Sequence, residues 1–347
     1  MINNLPSISI IIPCRNEEKF ISKCLDSIIA QDYPKDKAEV LVVDGMSEDR
    51  TREIIKEYSK QHQHVILFDN PKKIVPTAMN KGIQNAHGAI IIRMDAHNIY
   101  EKDYVSKCVK YLQEYDVDNV GGIWVTLPGS NTLIAQSIAF ALSHPFGVGN
   151  AYFRIGSKEP RYVDTVPFGC YKREVFQRIG LFDEDLVRNQ DDEFNLRLTK
   201  NGGKLLLVPD IVSYYYARDS LKKLWKMYFQ YGYYKPLVVK KIGAILTGRQ
   251  LMPAIFVVGL IASGIFSFVL KPFLLLFVSW LFLYLSANIV ASGSIAFKKG
   301  LKYIFVLPIV FATLHFSYGI GYLKGILDFI VFKKHRRNKI VDVPLTR

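Results

Sequence analysis

The sequence predicts an α/β protein in which a doubly wound, mostly parallel sheet over residues 1–217 is followed by apolar helices. Three observations lead there. Short β-branched runs alternate with helical patterns of about a dozen residues, the mark of βαβ units. Three of those runs carry an acid at or just past their carboxyl end, so carboxylates gather along one edge of the sheet, where open α/β sheets bind ligands. From Leu251 onward the chain is almost uniformly apolar over long stretches, unlike the charged, turn-broken sequence before it.

The first strand lies in Ser7–Pro13, with Arg15, Asn16 and Glu17 just beyond it. Glu17 and Glu18 fall where a helix should begin, so Glu17 fits either a capping carboxylate or a ligand contact. Ala38–Asp44 is a second buried strand, followed by a turn with Ser47 as the expected N-cap. His64–Phe68 reads as a third strand and Ile74–Ala86 as a helix. Ile90–Ile92 is a fourth strand running into Asp95-Ala96-His97. Alternate residues of an extended segment share a side, so Asp95 and His97 can converge on one cation. Oxygen and nitrogen donors suit Mg²⁺ or Mn²⁺, which usually also touch substrate phosphates. The same tripeptide also fits a turn cap. No Gly-rich loop of the dinucleotide or P-loop kind follows the first strand, so a phosphate-bearing ligand here needs a cation, with Asp95 to hold it.

The second part begins with residues 218–250. Leu221, Leu224, Trp225, Tyr228 and Phe229 form a helical stripe with Lys222, Lys223 and Lys226 off it, which fits an amphipathic helix in the headgroup layer or one packed on its own domain. Residues 251–332 hold Met252–Leu270, Phe273–Ala291 and Ile304–Leu323, each about 19 or 20 residues and long enough to cross a bilayer. A basic tail, 333–347, follows. The net charge of +14 comes from lysines and arginines concentrated near these segments. That matches an anionic cytoplasmic leaflet better than nucleic acid, which is not expected as a partner. No signal peptide is expected, since the N-terminal apolar run Ile8–Pro13 is too short, and residues 1–217 are expected on the cytoplasmic face of the cell membrane. Three full crossings put the basic tail outside, against the positive-inside rule. Pro308, His315, Gly319 and Gly321 offer a re-entrant or interfacial path for the third segment that keeps the tail inside. Four cysteines without paired spacing fit a reducing compartment.

Ile11–Glu18, Val42–Thr51 and Met94–His97 together resemble the N-terminal half of family 2 glycosyltransferases, inverting enzymes with the nucleotide-sugar-binding GT-A fold. Val166–Glu184 is similar to the family's acceptor-side segment, and Asn189–Leu198 stands where the family has Glu-Asp-x-Glu-Leu. With the C-terminal apolar segments, the chain is most similar to bacterial succinoglycan-type exopolysaccharide transferases.

The resemblance implies that Asp44 binds the nucleoside, with Pro13, Arg15 and Glu17 lining that pocket. It implies that Asp95 holds the divalent cation at the donor diphosphate and that Asp191 is the catalytic base. Asp192 is the rival base, and Glu193 is either structural or orients the acceptor. The chain departs from the family at His97, which replaces the second acid of Asp-x-Asp and brings no negative charge, and at Gln190, which replaces a Glu. Gln230 and Tyr231 do not form the Gln-x-x-Arg-Trp pattern of processive synthases. The implied activity moves one sugar from a nucleotide sugar, expected to be a UDP-sugar, to a polyprenyl-diphosphate-linked oligosaccharide. The alternatives are transfer to polyprenyl phosphate itself and a non-catalytic nucleotide- or lipid-binding subunit of an export complex. Arg154, Asp164 and Arg188 read as loop contacts to phosphate or acceptor, or as solvated charge.

Overall fold

A computed structural model describes residues 5–243 and 248–334. The basic tail beyond Lys334, and with it the side of the membrane on which the tail lies, falls outside the described residues.

The chain opens with β1 (Ile8–Cys14), α1 (Ile21–Ile29), β2 (Ala38–Asp44), α2 (Thr51–Gln61), β3 (Val65–Asp69), α3 (Val75–Asn85) and β4 (Ile90–Arg93). Next come β5 (Asn98–Tyr100), α4 (Tyr104–Glu114), β6 (Asn119–Leu127) and the helices α5 (Leu133–Leu142), α6 (Pro145–Val148) and α7 (Tyr152–Ile155). β7 (Arg161–Tyr162), β8 (Cys170–Lys172), α8 (Glu174–Ile179), α9 (Gln190–Lys200) and β9 (Leu205–Tyr216) follow. The long helices are α10 (Leu221–Ile242), α11 (Gly248–Phe266), α12 (Lys271–Lys299) and α13 (Leu307–Gly325).

Two compact units result, one of residues up to Val125 with Tyr152–Tyr216, the other of Thr126–Ala151 with the chain from Ala217 on. Thr126–Ala151, expected inside the 1–217 domain, clusters with the second unit because α5 and α6 pack on α13.

The first unit is built on a nine-stranded sheet of order β3-β2-β1-β4-β8-β6-β9-β5, with β7 beside β9. The first four strands are parallel. β8 then runs antiparallel to both β4 and β6, and β9 antiparallel to β5 and β7. The expectation of a mostly parallel sheet therefore holds for one half only. A parallel pair needs a crossover connection, and the repeating strand–helix pattern stops after β4. Strand alternation divides the interior. Ile8, Ile10 and Ile12 of β1 face a core shared with α1 and α4, whereas Ile11 faces a second core with Met79 and Ile83 of α3. α3 lies close on β1 because Gly82 leaves room for the Ile11 side chain, which any Cβ there would meet at 2.5 Å.

In the second unit α10 runs along α13. The two backbones touch where glycines permit it. A Cβ on Gly232 would run into the Tyr318 carbonyl, and one on Gly321 into that of Phe229. Tyr228, Tyr233, Leu237 and Val238 of α10 are buried, while Trp225 stays exposed. Over 218–250, where the sequence left open a helix in the headgroup layer or one packed on its own domain, α10 is largely buried along its middle, with Lys222, Lys223 and Trp225 exposed near its start. α13 buries Leu307, Val310, Phe311 and Leu314.

One helix among the described residues, Lys271–Lys299, is long and apolar enough to cross a membrane, where the sequence led to an expectation of three. The apolar part of α11 is shorter, and α13, broken by polar residues, is spent on packing. At 1.5 Å per residue α12 is about 43 Å long, and Pro272 sits in its first turn, where no N–H is needed. α11 folds back on α12 through Phe256 with Trp280 and Phe266 with Phe273. The outer face of this hairpin is apolar and bare, with Phe268 92% and Leu275 71% exposed. Such a continuous patch is what a membrane or partner surface looks like.

The glycine contacts carry a prediction. Gly321→Val should overlap the Phe229 carbonyl and lower stability by roughly 3 kcal/mol or more, read as a fall in melting temperature of the detergent-solubilised protein. Gly293→Ala, which meets only the edge of Phe297 at 3.8 Å, should leave the melting temperature nearly unchanged.

Candidate active site

The carboxyl ends of β1, β2 and β4 lie side by side in the parallel half of the sheet, so the loops after them form one crevice. At its β1–β2 side the two loops are laced together. The Asn16 amide donates to Ser47 Oγ at 2.9 Å, the Glu48 amide to Asn16 Oδ1 at 2.9 Å and the Glu17 amide to Thr51 Oγ1 at 2.7 Å. Asn16 adopts φ 54°, a left-handed conformation that Asn tolerates better than most residues. β1 runs past Pro13 to Cys14, which pairs in register with Asp44.

Asp44 is fully buried. Its carboxylate accepts from the Ser47 amide at 2.9 Å, from the Ser47 hydroxyl and from Arg52 Nη1 at 2.6 Å. Arg52 Nη2 reaches on to Asp69 at 2.7 Å. Ser47 is therefore not the N-cap of α2. That helix starts at Thr51, whose amide donates to Asp49 Oδ1 at 3.0 Å. Arg15 lies over Gly45, with its Nη2 3.6 Å from Glu48 Oε1. The Glu17 carbonyl accepts from the amides of Phe20 and Ile21 at 2.9 Å, and its Oε1 lies 3.3 Å from His97 Nδ1.

Arg93 organises the centre. It is the last residue of β4, 5% exposed, and it points the same way as Asp95 two residues on. Its Nε donates to Asp95 Oδ1 at 2.9 Å and its Nη2 to Asp95 Oδ2 at 3.3 Å, while Nη1 donates to Asp191. One guanidinium thus joins the carboxylate at the end of β4 to the one in the first turn of α9.

α9 is held by its core face. Phe194 stacks on Phe182 with ring centroids 4.4 Å apart, and buried Asn195 accepts from Asn119 at 3.1 Å. Glu193 is committed to Arg197 through bonds of 2.8 and 3.0 Å, and Arg197 also donates to the Leu181 carbonyl at 2.8 Å. Glu193, which the sequence left open between a structural role and orienting the acceptor, is tied through Arg197 to the 179–181 turn. Of the two adjacent acids, Asp191 accepts from Arg93. Its surroundings raise the Asp191 carboxyl above its usual value, chiefly by burial, with Asp95 and Asp192 adding and Arg93 opposing. About a third of the side chain (37%) stays accessible, so the carboxyl can meet a ligand in the crevice.

Among the described residues no group of three or more His, Cys, Asp or Glu side chains could enclose a metal ion. The donors at Asp95 and His97 instead fit the sparse protein share of a Mg²⁺ or Mn²⁺ site, one or two side chains with substrate phosphates and water supplying the rest. A carboxylate on one ring nitrogen is the usual way a ligating histidine is oriented. Glu17 at Nδ1 leaves Nε2 of His97 available to an ion.

The glycosyl transferase family 2 model matches residues 9–180, which include β1, β2, β4 and the Asp95–His97 turn. A glucuronosyltransferase of Methanococcus voltae, described as a dolichyl N-acetyl-alpha-D-glucosaminyl phosphate 3-beta-D-2,3-diacetamido-2,3-dideoxy-beta-D-glucuronosyltransferase, is 34% identical over 92% of this chain and 97% of that protein. The chain belongs to glycosyl transferase family 2. The succinoglycan biosynthesis protein ExoA of Rhizobium meliloti is a further family member, 30% identical over 70% of this chain and 73% of its own. Among solved structures, the mannosyltransferase PcManGT of Pyrobaculum calidifontis, held with GDP-Man and Mn²⁺, superposes with a TM-score of 0.60 at 20% identity. It covers 92% of this chain and 88% of that one, and the likeness shows that the fold is of the GT-A glycosyltransferase kind.

Arg93 and Arg52 are partners of the candidate acids that the motifs did not flag. Arg93 had a signal, a charge two residues before Asp95 in an otherwise β-branched strand. Arg52 had none, since its distance from Asp44 along the chain corresponds to no simple period.

Proposed function

We propose that the chain is an inverting glycosyltransferase that moves one sugar from a nucleotide sugar to a lipid-linked saccharide at a membrane surface. The observation that carries this reading is the Arg93 fork, which keeps Asp95 and Asp191 together at one crevice. Asp95, with His97 oriented by Glu17, would hold a divalent cation that, when bound, neutralises charge developing on the leaving diphosphate. Asp44 and Arg15 lie on the nucleoside side of the crevice, where a UDP-sugar would bind. Asp191 takes the proton of the acceptor hydroxyl as its oxygen bonds to the anomeric carbon. The bond from that carbon to the diphosphate breaks on the opposite face, so the configuration inverts. Its raised pKa makes Asp191 a better proton acceptor than an ordinary carboxylate.

The lipid-linked acceptor is supported by the Methanococcus voltae relative, whose name specifies a dolichyl phosphate-linked sugar, and by the bare apolar hairpin of α11 and α12. That hairpin anchors the enzyme in the cell membrane, with the catalytic unit on the cytoplasmic face. An exopolysaccharide or another surface glycan is the product class this chemistry serves.

The test is transfer from a panel of radiolabelled nucleotide sugars into membrane lipid extracts, with and without Mn²⁺, for the wild type and Asp95→Ala. Label from one donor should enter lipid in the wild type with metal, and fall at least about a hundredfold in the variant. An acid-labile product made without any saccharide primer would instead identify polyprenyl phosphate as the acceptor. No labelled lipid from any donor, in membranes with a full acceptor pool, would leave a nucleotide- or lipid-binding subunit.

A further inference from the structure

Arg154 stands out among the arginines of the first unit. It is only 8% exposed, its Nη1 has no hydrogen-bond partner, and among the described residues no carboxylate pairs with it. Its company is aromatic. The guanidinium carbon lies 4.5 Å from the Trp124 ring centre, 5.2 Å from Tyr215 and 5.4 Å from Phe153. Trp124 and Tyr215 are themselves stacked, centroids 4.6 Å apart and 13° from parallel. Trp124 Nε1 is a second buried donor without a partner. Aromatic faces offset part of the cost of burying a cation but accept no hydrogen bonds from its edge. A buried guanidinium without a carboxylate is costly, and two orphaned N–H donors around it call for an acceptor from outside the chain.

The position narrows what that acceptor is. β6 is parallel to β4, because β8 is antiparallel to both, so Trp124 near the end of β6 lies on the same edge as Asp95. Tyr215 touches both Arg154 and His97, whose ring centre lies 6.1 Å from its own. In the strand order, Asp44 on β2 and Arg15 after β1 lie on one side of β4, and Trp124 on β6 lies on the other. The cation is therefore beside the crevice but across Asp95 from Asp44 and Arg15, the side on which the transfer reaction proposed above would admit its acceptor.

We propose that Arg154, seated on Trp124 and Tyr215, is an anion-recognition site for the phosphate of a phosphate-linked saccharide acceptor. Assigning the anion to the acceptor rests on the transfer reaction proposed above. The existence of the anion site does not.

Calorimetric titration of the full chain in detergent tests both. The probes are a decyl saccharide 1-phosphate and the same decyl saccharide without phosphate. The wild type should bind the phosphate-bearing probe about tenfold or more tightly than the neutral one. Arg154→Gln should bring the two within about twofold, and Arg154→Lys should keep part of the preference, since the charge remains but the fork is lost. Equal binding of both probes by the wild type, or equal weakening of both by Arg154→Gln in a variant that melts like the wild type, overturns the site. A nucleotide-linked uronic acid and a nucleotide-linked neutral hexose form the second arm. A preference for the uronate that Arg154→Gln removes would put the anion on the donor and overturn the acceptor assignment. Phosphate preference without any detectable sugar transfer would sustain the site while refuting the transfer reading.

Discussion

Asp191→Asn is expected to lower kcat by roughly 10²–10⁴, the usual contribution of a positioned general base, while leaving nucleotide-sugar affinity within a few-fold of wild type. The carboxylate is bonded to Arg93 beside Asp95, and the proton-accepting role proposed for it belongs to the chemical step. Asn keeps the size and one acceptor oxygen for Arg93 but cannot take a proton. Asp192→Asn is the matched control. It changes the neighbouring acid of the same helix turn and should retain most of the rate. Single-turnover transfer with calorimetric donor binding separates the two. A larger loss in Asp192→Asn than in Asp191→Asn would exchange their roles.

Replacing Arg93 with Met should have the widest effect on both stability and pH dependence. The guanidinium is buried and joins two carboxylates, so removing it leaves like charges facing each other without compensation. Both carboxylates keep some contact with water, at 20% and 37% exposure. The expected cost is therefore near the lower end of the range for breaking a buried pair, about 3 kcal/mol. The effect on titration has a definite sign. In the proposed role Asp191 works ionised, and its pKa is already raised, so activity should fall as pH drops through that value. Arg93 opposes the rise, so its loss moves the acidic limb of the kcat/KM profile to higher pH. Part of the activity lost at neutral pH should return on the alkaline side. A melting curve and a pH–rate profile of Arg93→Met measure the two effects, and an acidic limb that stays in place or moves down would refute the assigned coupling. Arg93→Lys should fall between, retaining charge without the fork.

The sequence by itself determined the parallel half of the sheet and the edge at which the site lies. Those features are local. A strand of Ile90 to Ile92 followed by an acid, or a helix of a dozen residues between two strands, is written in contiguous residues whose periodicity can be read directly. Asp44, Asp95 and Asp191 could be singled out as candidates because each belongs to a short ordered motif. The length and apolarity of α12 were legible because a span is a compositional property.

Only the tertiary structure decided which side chains those acids meet. Arg93 and Asp191 are 98 residues apart, and Glu17 and His97 approach through loops from two different strands. No period links such pairs, since their contact depends on sheet order and on how α9 is seated by Phe194. For the same reason the sequence left Glu193 open between a structural role and the acceptor, and only the fold shows it paired with Arg197 one helical turn away. The antiparallel half of the sheet was hidden because its strands are separated by segments without a repeating pattern. The fate of the last apolar segment was open because a helix of Leu, Phe, Gly and Ser is equally suited to lipid and to a protein neighbour. The Gly321 and Gly232 contacts with facing backbone carbonyls show that α13 packs closely on α10, where the absence of a side chain matters more than hydrophobicity.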